Sequence, residues 1–210
     1  MKISVSYLGC KKIGQTLNDL NLTDVDYIHV DVMDGKYVKG KTMSFNELST
    51  IGNYTRKRLD VHFMVERPLK LIDLYATLNV FCITVHLNIQ DDLEMIIKRC
   101  SDYGIKIGLA INPDQDVSLV YPYLDKIDLV LLMGVNPGLP GQEFIKSTLT
   151  KINTLKKEVE KRKLNTLISV DGGVNLDNAK YLKDCDILVS GSTITKSNDY
   201  QETITKLRNN

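Results

Sequence analysis

Ionisable side chains recur inside or at the end of short apolar runs of this sequence. His29 and Asp31 lie two positions apart in YIHVDVM, and His62 lies in LDVHFMV. His86 and Asp171 fall near the ends of two further runs, FCITVHL and TLISVDG. A lone histidine of this kind is usually a buried core residue. Several such groups at equivalent places favour one shared site, because buried ionisable groups are costly unless they are paired or bound to a metal.

The spacing of these residues also predicts which side chains share one face of a strand. In a strand, residues two apart share a face, so His29, Asp31 and Met33 point the same way, as do Asp60, His62 and Met64. Imidazoles and carboxylates together form a mixed nitrogen and oxygen donor set that suits zinc, iron(II) or manganese. Two aspartates from opposite sides of one site can also act as a base and an acid on the two faces of a substrate, which is the chemistry of an epimerisation.

The elements that position these residues alternate in type along the chain. Amphipathic segments such as DDLEMIIKRCSDYG, PLKLIDLYATLN, IKSTLTKINTLKKEVEKRK and LDNAKYLKD separate the apolar runs and predict helices. Eight strands in a repeating strand–helix order predict an α/β fold, a (β/α)8 TIM barrel, over residues 1–210 as a single domain. An open doubly wound sheet is the alternative. The predicted strands are ISVSYL, DYIHVDVM, LDVHFMV, FCITVHL, IKIGLAI, IDLVLLM, TLISVDG and DILVSG.

Glycine-rich stretches follow the last three predicted strands. They are NPGLPGQ at 136–142, DGG at 171–173 and SGST at 190–193. Each alone is as compatible with an ordinary turn. Their order behind successive strands favours a phosphate site, since backbone N–H groups reach an anion only where no side chain intervenes.

Composition narrows the class of protein. The chain has 27 basic and 26 acidic residues and a formal charge of +1, so we expect no nucleic-acid partner and no anionic membrane surface. The N-terminus MKISVSYLGC lacks the layout of a signal peptide, and no window has the roughly 20 apolar residues of a membrane span. We therefore expect a cytoplasmic location. The four cysteines show no paired spacing and are expected to be reduced and structural.

The ordered motifs resemble the ribulose-phosphate 3-epimerase family, whose near relatives include the allulose 6-phosphate epimerases. The resemblance runs almost end to end and rests on HVDVMDG, LDVHFMVERP, VHL, GLAINP, LLMGVNPGLPGQEFI, ISVDGGVN and LVSGSTI. It implies a barrel enzyme that inverts C3 of a ketose phosphate, D-ribulose 5-phosphate to D-xylulose 5-phosphate in the first instance. The proton would move through an enediolate stabilised by a divalent metal ion. Dimers or hexamers are the homo-oligomers that the resemblance implies.

The resemblance also assigns roles to residues. Asp31 and Asp171 match the two catalytic proton carriers. The implied metal ligands are His29, Asp31, His62 and Asp171, with Zn²⁺ as the first expectation and Fe²⁺, Mn²⁺ or Co²⁺ as alternatives. The implied substrate-binding residues are Ser6, Met33, Met64, His86, Met133, Gly138, Gly141, Gly172, Gly173, Gly191 and Ser192.

The chain departs from the family pattern outside the four ligands. Where relatives usually read DGHFVPN, this sequence reads DGKYVKG, so Lys36 replaces a histidine and Lys39 a proline. Asn88 stands for a frequent glutamate, and Pro140, which has no N–H, stands for a glycine of the phosphate loop. These changes leave a hexulose 6-phosphate such as allulose 6-phosphate open as the substrate. A phosphosugar-binding barrel without activity is disfavoured because both aspartates are present. A lyase or decarboxylase is disfavoured because no lysine stands in the strand-end acid cluster.

Overall fold

Eight parallel strands close into a barrel in a computed structural model that describes residues 1–42 and 44–209. Each strand pairs with its neighbours in chain order, and β1 closes the barrel against β8, with Lys2 opposite Ile187. The closed barrel confirms the predicted (β/α)8 architecture and excludes the open sheet. The strands are β1 Lys2–Ser6, β2 Tyr27–Met33, β3 Arg58–Met64, β4 Val80–His86, β5 Lys106–Ile111, β6 Leu129–Met133, β7 Leu167–Asp171 and β8 Ile187–Ser190.

Helices and short 3₁₀ segments connect the strands around the outside of the barrel. The 3₁₀ segments are Thr50–Asn53, Val117–Tyr123 and Ala179–Tyr181. None of the helices within the described ranges has the length and apolar character needed to cross a bilayer. The helices are α1 Ile13–Asn21, α2 Phe45–Ser49, α3 Leu69–Tyr75, α4 Leu93–Asp102, α5 Thr148–Lys161, α6 Ser192–Thr195 and α7 Tyr200–Asn209.

Helix α4 shows how the local sequence sets an element. Its N-cap Asp92 accepts hydrogen bonds from the backbone N–H groups of Glu94 and Met95, which have no partner inside the helix. Ile96 and Cys100, one turn apart, are buried against the sheet. Gly104 follows the helix with a φ of 65°, a conformation that glycine adopts without strain.

The segment LDNAKYLKD does not form the helix that its sequence predicts. The structure has a single 3₁₀ turn there, Ala179–Tyr181. The Asn175 side chain accepts from the backbone N–H groups of Asp177 and Asn178, and the Asn178 side chain accepts from Asn175 in return. These are capping bonds of a helix start, but the backbone bonds that follow join Tyr181 N–H to Asn178 O and Leu182 N–H to Ala179 O, so the chain forms one 3₁₀ turn and goes no further.

Most of the core lies between the strands and the surrounding helices, and a smaller cluster fills the barrel interior. Cys82, Cys100 and Cys185 are buried and Cys10 is partly exposed, and all four are free thiols. Burial of three of the four is the placement expected for structural thiols. Burial raises the pKa of Cys100 and of Cys185 to about 12, so both stay as unreactive thiols.

Candidate metal and substrate site

Strands β2, β3 and β7 bring four predicted ligands together at the carboxyl end of the barrel. The donor atoms of His29, Asp31, His62 and Asp171 all lie within 4.8 Å of one another. His29 Nε2 lies 3.5 Å from Asp31 Oδ1 and 3.7 Å from Asp171 Oδ2, and His62 Nδ1 lies 3.5 and 3.6 Å from the same two oxygens. Tetrahedral ligands with metal bonds of about 2.0–2.2 Å are separated by about 3.3–3.6 Å, so the spacing fits one divalent cation.

The two histidines present unpaired nitrogens to this centre. His29 Nε2 and His62 Nδ1 are buried and lack a hydrogen-bond partner among the described residues. Buried polar atoms are normally satisfied. Two such orphan nitrogens facing two carboxylates therefore fit a cation that binds all four groups. The His/Asp group is compatible with a divalent metal without fixing which one.

Charge coupling inside the centre is strong. Burial raises the pKa of the Asp31 carboxyl, but His29 and His62 outweigh it, and the net pKa of Asp31 is lowered far below the usual range. Asp31 also accepts a hydrogen bond of 2.9 Å from Ser6 Oγ. Both effects stabilise the ionised carboxylate. Asp31 is therefore held as the carboxylate, the form that binds a cation.

Asp60 is a site residue that sequence reasoning did not select. Its Oδ2 lies 2.8 Å from His29 Nδ1 and accepts a hydrogen bond of 2.8 Å from Ser4 Oγ. Because Nδ1 then carries the His29 proton, Nε2 is left with a lone pair for the metal. The only signal in the sequence was that Asp60 shares a strand face with His62. Its contact with His29 depends on the register of β2 against β3, in which the two residues are opposite each other.

Replacing Asp60 with asparagine should weaken metal binding. The change keeps the shape but removes the charge that orients His29, and outer carboxylates of this kind are typically worth about 10–100-fold in metal affinity. Competition with a chromogenic chelator measures that loss. Asp73, an exposed partner of Arg99 far from the centre, gives the control Asp73→Asn, which should keep wild-type affinity. Equal affinity in Asp60→Asn and wild type would contradict the assigned role.

His86 lies behind the metal ligands. Its Nε2 is 2.8 Å from Nε2 of His62. Burial and the neighbouring His62 lower the pKa of His86 well below its usual range, so its neutral form accepts this bond. If His62 Nδ1 bound the cation, His62 would carry its proton on Nε2 and His86 would carry its own on Nδ1. The resemblance also placed His86 near the site but outside the ligand set.

A cavity opens directly above the four-residue centre, between the loops after β1, β6, β7 and β8. Two predicted contacts, Met33 and His86, are not among its lining residues; Met33 is buried at the end of β2. Asp31 and Asp171 reach the cavity, whereas His29 and His62 lie beneath it. The other predicted substrate-binding residues line it: Ser6, Met64, Met133, Gly138, Gly141, Gly172, Gly173, Gly191 and Ser192.

Glycines form one wall of this cavity in backbone conformations that side chains disfavour. Gly172 and Gly173 have φ values of 99° and 69°, and a Cβ on Gly173 would lie 2.6 Å from the backbone nitrogen of Phe144. On the next loop, helix α6 starts at Ser192, so its first N–H groups have no partner within the helix. Close-packed glycines beside free N–H groups are the features that an oxyanion such as phosphate requires.

Gly173→Ala should displace the backbone of the glycine-lined wall of the cavity. The added Cβ meets backbone atoms that cannot rotate away, so we expect at least a tenfold rise in KM for a phosphorylated substrate. Stability should also fall by roughly 1–3 kcal/mol from backbone strain. Gly104→Ala is the matched control, because its φ is 65° but no atom lies within 4 Å of the new Cβ. Gly104→Ala should lower stability without raising KM. Steady-state kinetics measure the change in KM, and thermal unfolding measures the change in stability.

Comparison with known proteins agrees with this geometry. A ribulose-phosphate 3-epimerase from Buchnera aphidicola subsp. Baizongia pistaciae is 39% identical over 210 residues, covering 98% of this chain and 92% of that protein. The enzymes of the same name from Bacillus subtilis and Escherichia coli are 36% and 30% identical, covering 93% and 94% of this chain and 92% and 89% of theirs.

Solved structures at lower identity share the fold. KGPDC from Streptococcus mutans superposes with a TM-score of 0.68 at 15% identity, covering 99% of this chain and 95% of that one. 3-Hexulose-6-phosphate synthase from Salmonella typhimurium gives 0.66 at 17% identity, covering 99% and 96%. These likenesses concern the barrel alone. The model of the ribulose-phosphate 3 epimerase family matches residues 2–195, and with the relatives above this shows that the chain belongs to the ribulose-phosphate 3-epimerase family.

Proposed function

We propose that this protein inverts C3 of D-ribulose 5-phosphate to give D-xylulose 5-phosphate, with Asp31 and Asp171 as the two proton carriers. The observation that carries the proposal is the juxtaposition of two carboxylates with two orphan imidazole nitrogens at the floor of a glycine-walled cavity. Membership of an epimerase family supports the same reaction.

The two aspartates come from β2 and β7, which lie apart in the strand order of the barrel. Asp31 removes the C3 proton from one face of the substrate, and Asp171 returns a proton to the other face. In the reverse direction the roles exchange, as a reversible inversion requires. Ser6 orients Asp31 through the hydrogen bond from its hydroxyl.

Residues around the reacting carbon exclude water and would hold a positive charge near it. Met64 and Met133 line the cavity and are almost fully buried, so their thioethers keep water away without competing for the proton. A divalent cation held by His29, Asp31, His62 and Asp171 supplies positive charge for the oxygens that become negative as the proton leaves. We propose Zn²⁺, with Fe²⁺, Mn²⁺ and Co²⁺ as the alternatives that the donor set accepts.

The loops after β6, β7 and β8 are proposed to hold the phosphate of the substrate. Gly141, Gly173, Gly191 and Ser192 all line the cavity. Pro140 adds no N–H to this wall, so the neighbouring backbone groups must supply the donors.

Hexulose 6-phosphate epimerisation is the second candidate. It is favoured by the loop after β2, in which Lys36 and Lys39 are exposed where relatives usually carry a histidine and a proline. A longer ketose phosphate has one more hydroxylated carbon, which we propose would approach this loop. The same assay distinguishes the two substrates.

The test is proton NMR of the metal-loaded protein in deuterated water, with ribulose 5-phosphate and allulose 6-phosphate in separate tubes. Loss of the C3 proton signal and appearance of the epimer from ribulose 5-phosphate is the expected result. Turnover of the hexulose alone would replace the first candidate with the second. No exchange in either tube would overturn both and favour a phosphosugar-binding barrel.

Membership of the same family supports a proposal for the quaternary state and the location. We propose a homo-oligomer, a dimer or a hexamer, acting in the cytoplasm as a single-domain enzyme over residues 1–210. Multi-angle light scattering gives the subunit number directly.

A further inference from the structure

The loop after β2, residues 34–42, is tied to the opposite side of the barrel mouth by one side chain. The hydroxyl of Tyr37 donates a hydrogen bond of 2.6 Å to Asn88 Oδ1, beyond the end of β4. It accepts one of 3.3 Å from Asn112 Nδ2, beyond the end of β5. Burial raises the pKa of Tyr37, so its hydroxyl remains a donor. One phenol therefore connects this loop to two neighbouring strand ends.

The ring of Tyr37 adds a second contact. Its centroid lies 4.8 Å from that of His86, with the planes tilted by 35°. His86 in turn lies 2.8 Å from the metal ligand His62. Tyr37 of the loop therefore packs on His86, and His86 contacts His62. One buried residue thus connects the loop to the four-residue centre.

The start and the middle of the loop are also held. Asp34 Oδ1 accepts from the backbone N–H groups of Lys36 and Tyr37, and Oδ2 accepts from that of Glu66. Val38 packs against Gly138 of the loop after β6, so closely that a Cβ on Gly138 would lie 2.8 Å from Val38 Cβ. The loop consequently bridges from the β4 and β5 ends to the loop after β6, which borders the cavity.

From these contacts we propose that Tyr37 is a positioning residue, whose hydroxyl latches the loop of residues 34–42 across the mouth of the site through Asn88 and Asn112. The inference rests on the proposed function, because the loop matters for catalysis only if the cavity bordered by its contact Gly138 holds the substrate. The family pattern DGHFVPN carries a phenylalanine at this position, so the hydroxyl is a feature of this chain and tunes rather than enables the reaction.

Tyr37→Phe tests the latch with the ring on His86 retained. Without the two hydrogen bonds the closed loop is less populated, and the apparent affinity for substrate falls by the same fraction. We expect KM to rise about three- to tenfold, the effect of one or two net hydrogen bonds. Once bound, the substrate itself holds the loop, so kcat should stay within twofold. A purely structural hydroxyl would instead lower the melting temperature and leave KM unchanged.

Asn88→Ala removes the acceptor without touching the ring. If the two residues act as one latch, the double variant should be no worse than the more affected single variant, because the hydrogen bond can be lost only once. Independent effects would multiply and would contradict the latch. Tyr181→Phe, on an exposed tyrosine remote from the site, is the matched control and should retain wild-type KM.

A readout that needs no activity keeps this inference separate from the proposed reaction. Lys36 and Lys39 are exposed in the loop, and trypsin cuts after lysine when the backbone can open. Fragments ending at these two residues should appear three to ten times faster in Tyr37→Phe than in wild type. Faster cutting in a protein that turns over neither sugar would support the latch and overturn the reaction. An active wild type with equal cutting and equal KM in the variant would overturn the latch.

Discussion

Asp171→Asn is expected to abolish turnover while binding of the phosphorylated substrate largely persists. The amide can still direct an oxygen at a cation, but it can neither take nor release the proton that one face of the substrate requires. General acid–base groups contribute about 10²–10⁴-fold, and this residue also lies in the ligand set, so kcat should fall by at least about 10³-fold. Calorimetric titration with substrate checks that the dissociation constant stays within about threefold.

The variant also permits a sharper measurement. Asp31 remains, held in position by the Ser6 hydroxyl, and still faces the substrate from its own side. One of the two epimers should therefore exchange its C3 proton with deuterated water without inverting, while the other does not exchange. Metal content measured on the same sample shows that the centre is intact. Asp177, exposed on the same loop, gives the control Asp177→Asn with wild-type rates in both directions. Wild-type epimerisation by Asp171→Asn would refute the two-carboxylate mechanism.

Removing the divalent cation is expected to have an effect of similar size. His29 Nε2 and His62 Nδ1 have no hydrogen-bond partner among the described residues, so removing the cation takes away the group that would bind them and both carboxylates. The charge that stabilises the developing oxyanion is lost with it, which amounts to several kcal/mol of transition-state stabilisation. Turnover should fall by at least about 10³-fold after chelation and return when Zn²⁺, Mn²⁺, Fe²⁺ or Co²⁺ is added back.

Stability provides an independent measure of the same centre. A ligand present at 100 times its dissociation constant stabilises the folded state by about 2.7 kcal/mol, so the metal-loaded protein should melt at a higher temperature than the stripped protein. The control is treatment with chelator already saturated with Zn²⁺, which should change neither turnover nor melting. Full turnover by protein shown to be metal-free would exclude the assigned role of the cation.

The barrel could be predicted from the sequence because a strand that is buried on both faces appears as a short run of apolar residues. All eight strands of the structure overlap the predicted apolar runs, since strands covered on both faces are almost wholly apolar. The helix predicted over 176–184 was wrong. Asn175 and Asn178 cap a helix start, but i→i−3 bonds end it after one 3₁₀ turn, and so short a hydrophobic pattern does not show where a helix stops.

The site residues that could be predicted are those that lie at the carboxyl ends of predicted strands. His29, Asp31, His62 and Asp171 follow from their places in the strands, and the structure brings all four together. Asp60 was not selected, because its contact depends on register between β2 and β3 rather than on its own strand. Tyr37 and its two partners are far apart in sequence, and only the folded loop brings them together.

The pairing of β1 with β8 has a consequence for how the protein comes to be active. Lys2 meets Ile187, so the contact that closes the barrel joins nearly the most distant parts of the chain and carries a large loop-closure entropy. During synthesis the first strand has one edge without a neighbour until the last strand leaves the ribosome, and such an edge can pair with another nascent chain. Since the four residues proposed to bind the metal come from β2, β3 and β7, tight metal uptake would report that closure has brought these strands together. The rate at which refolding protein binds metal tightly therefore measures the rate of this final folding step.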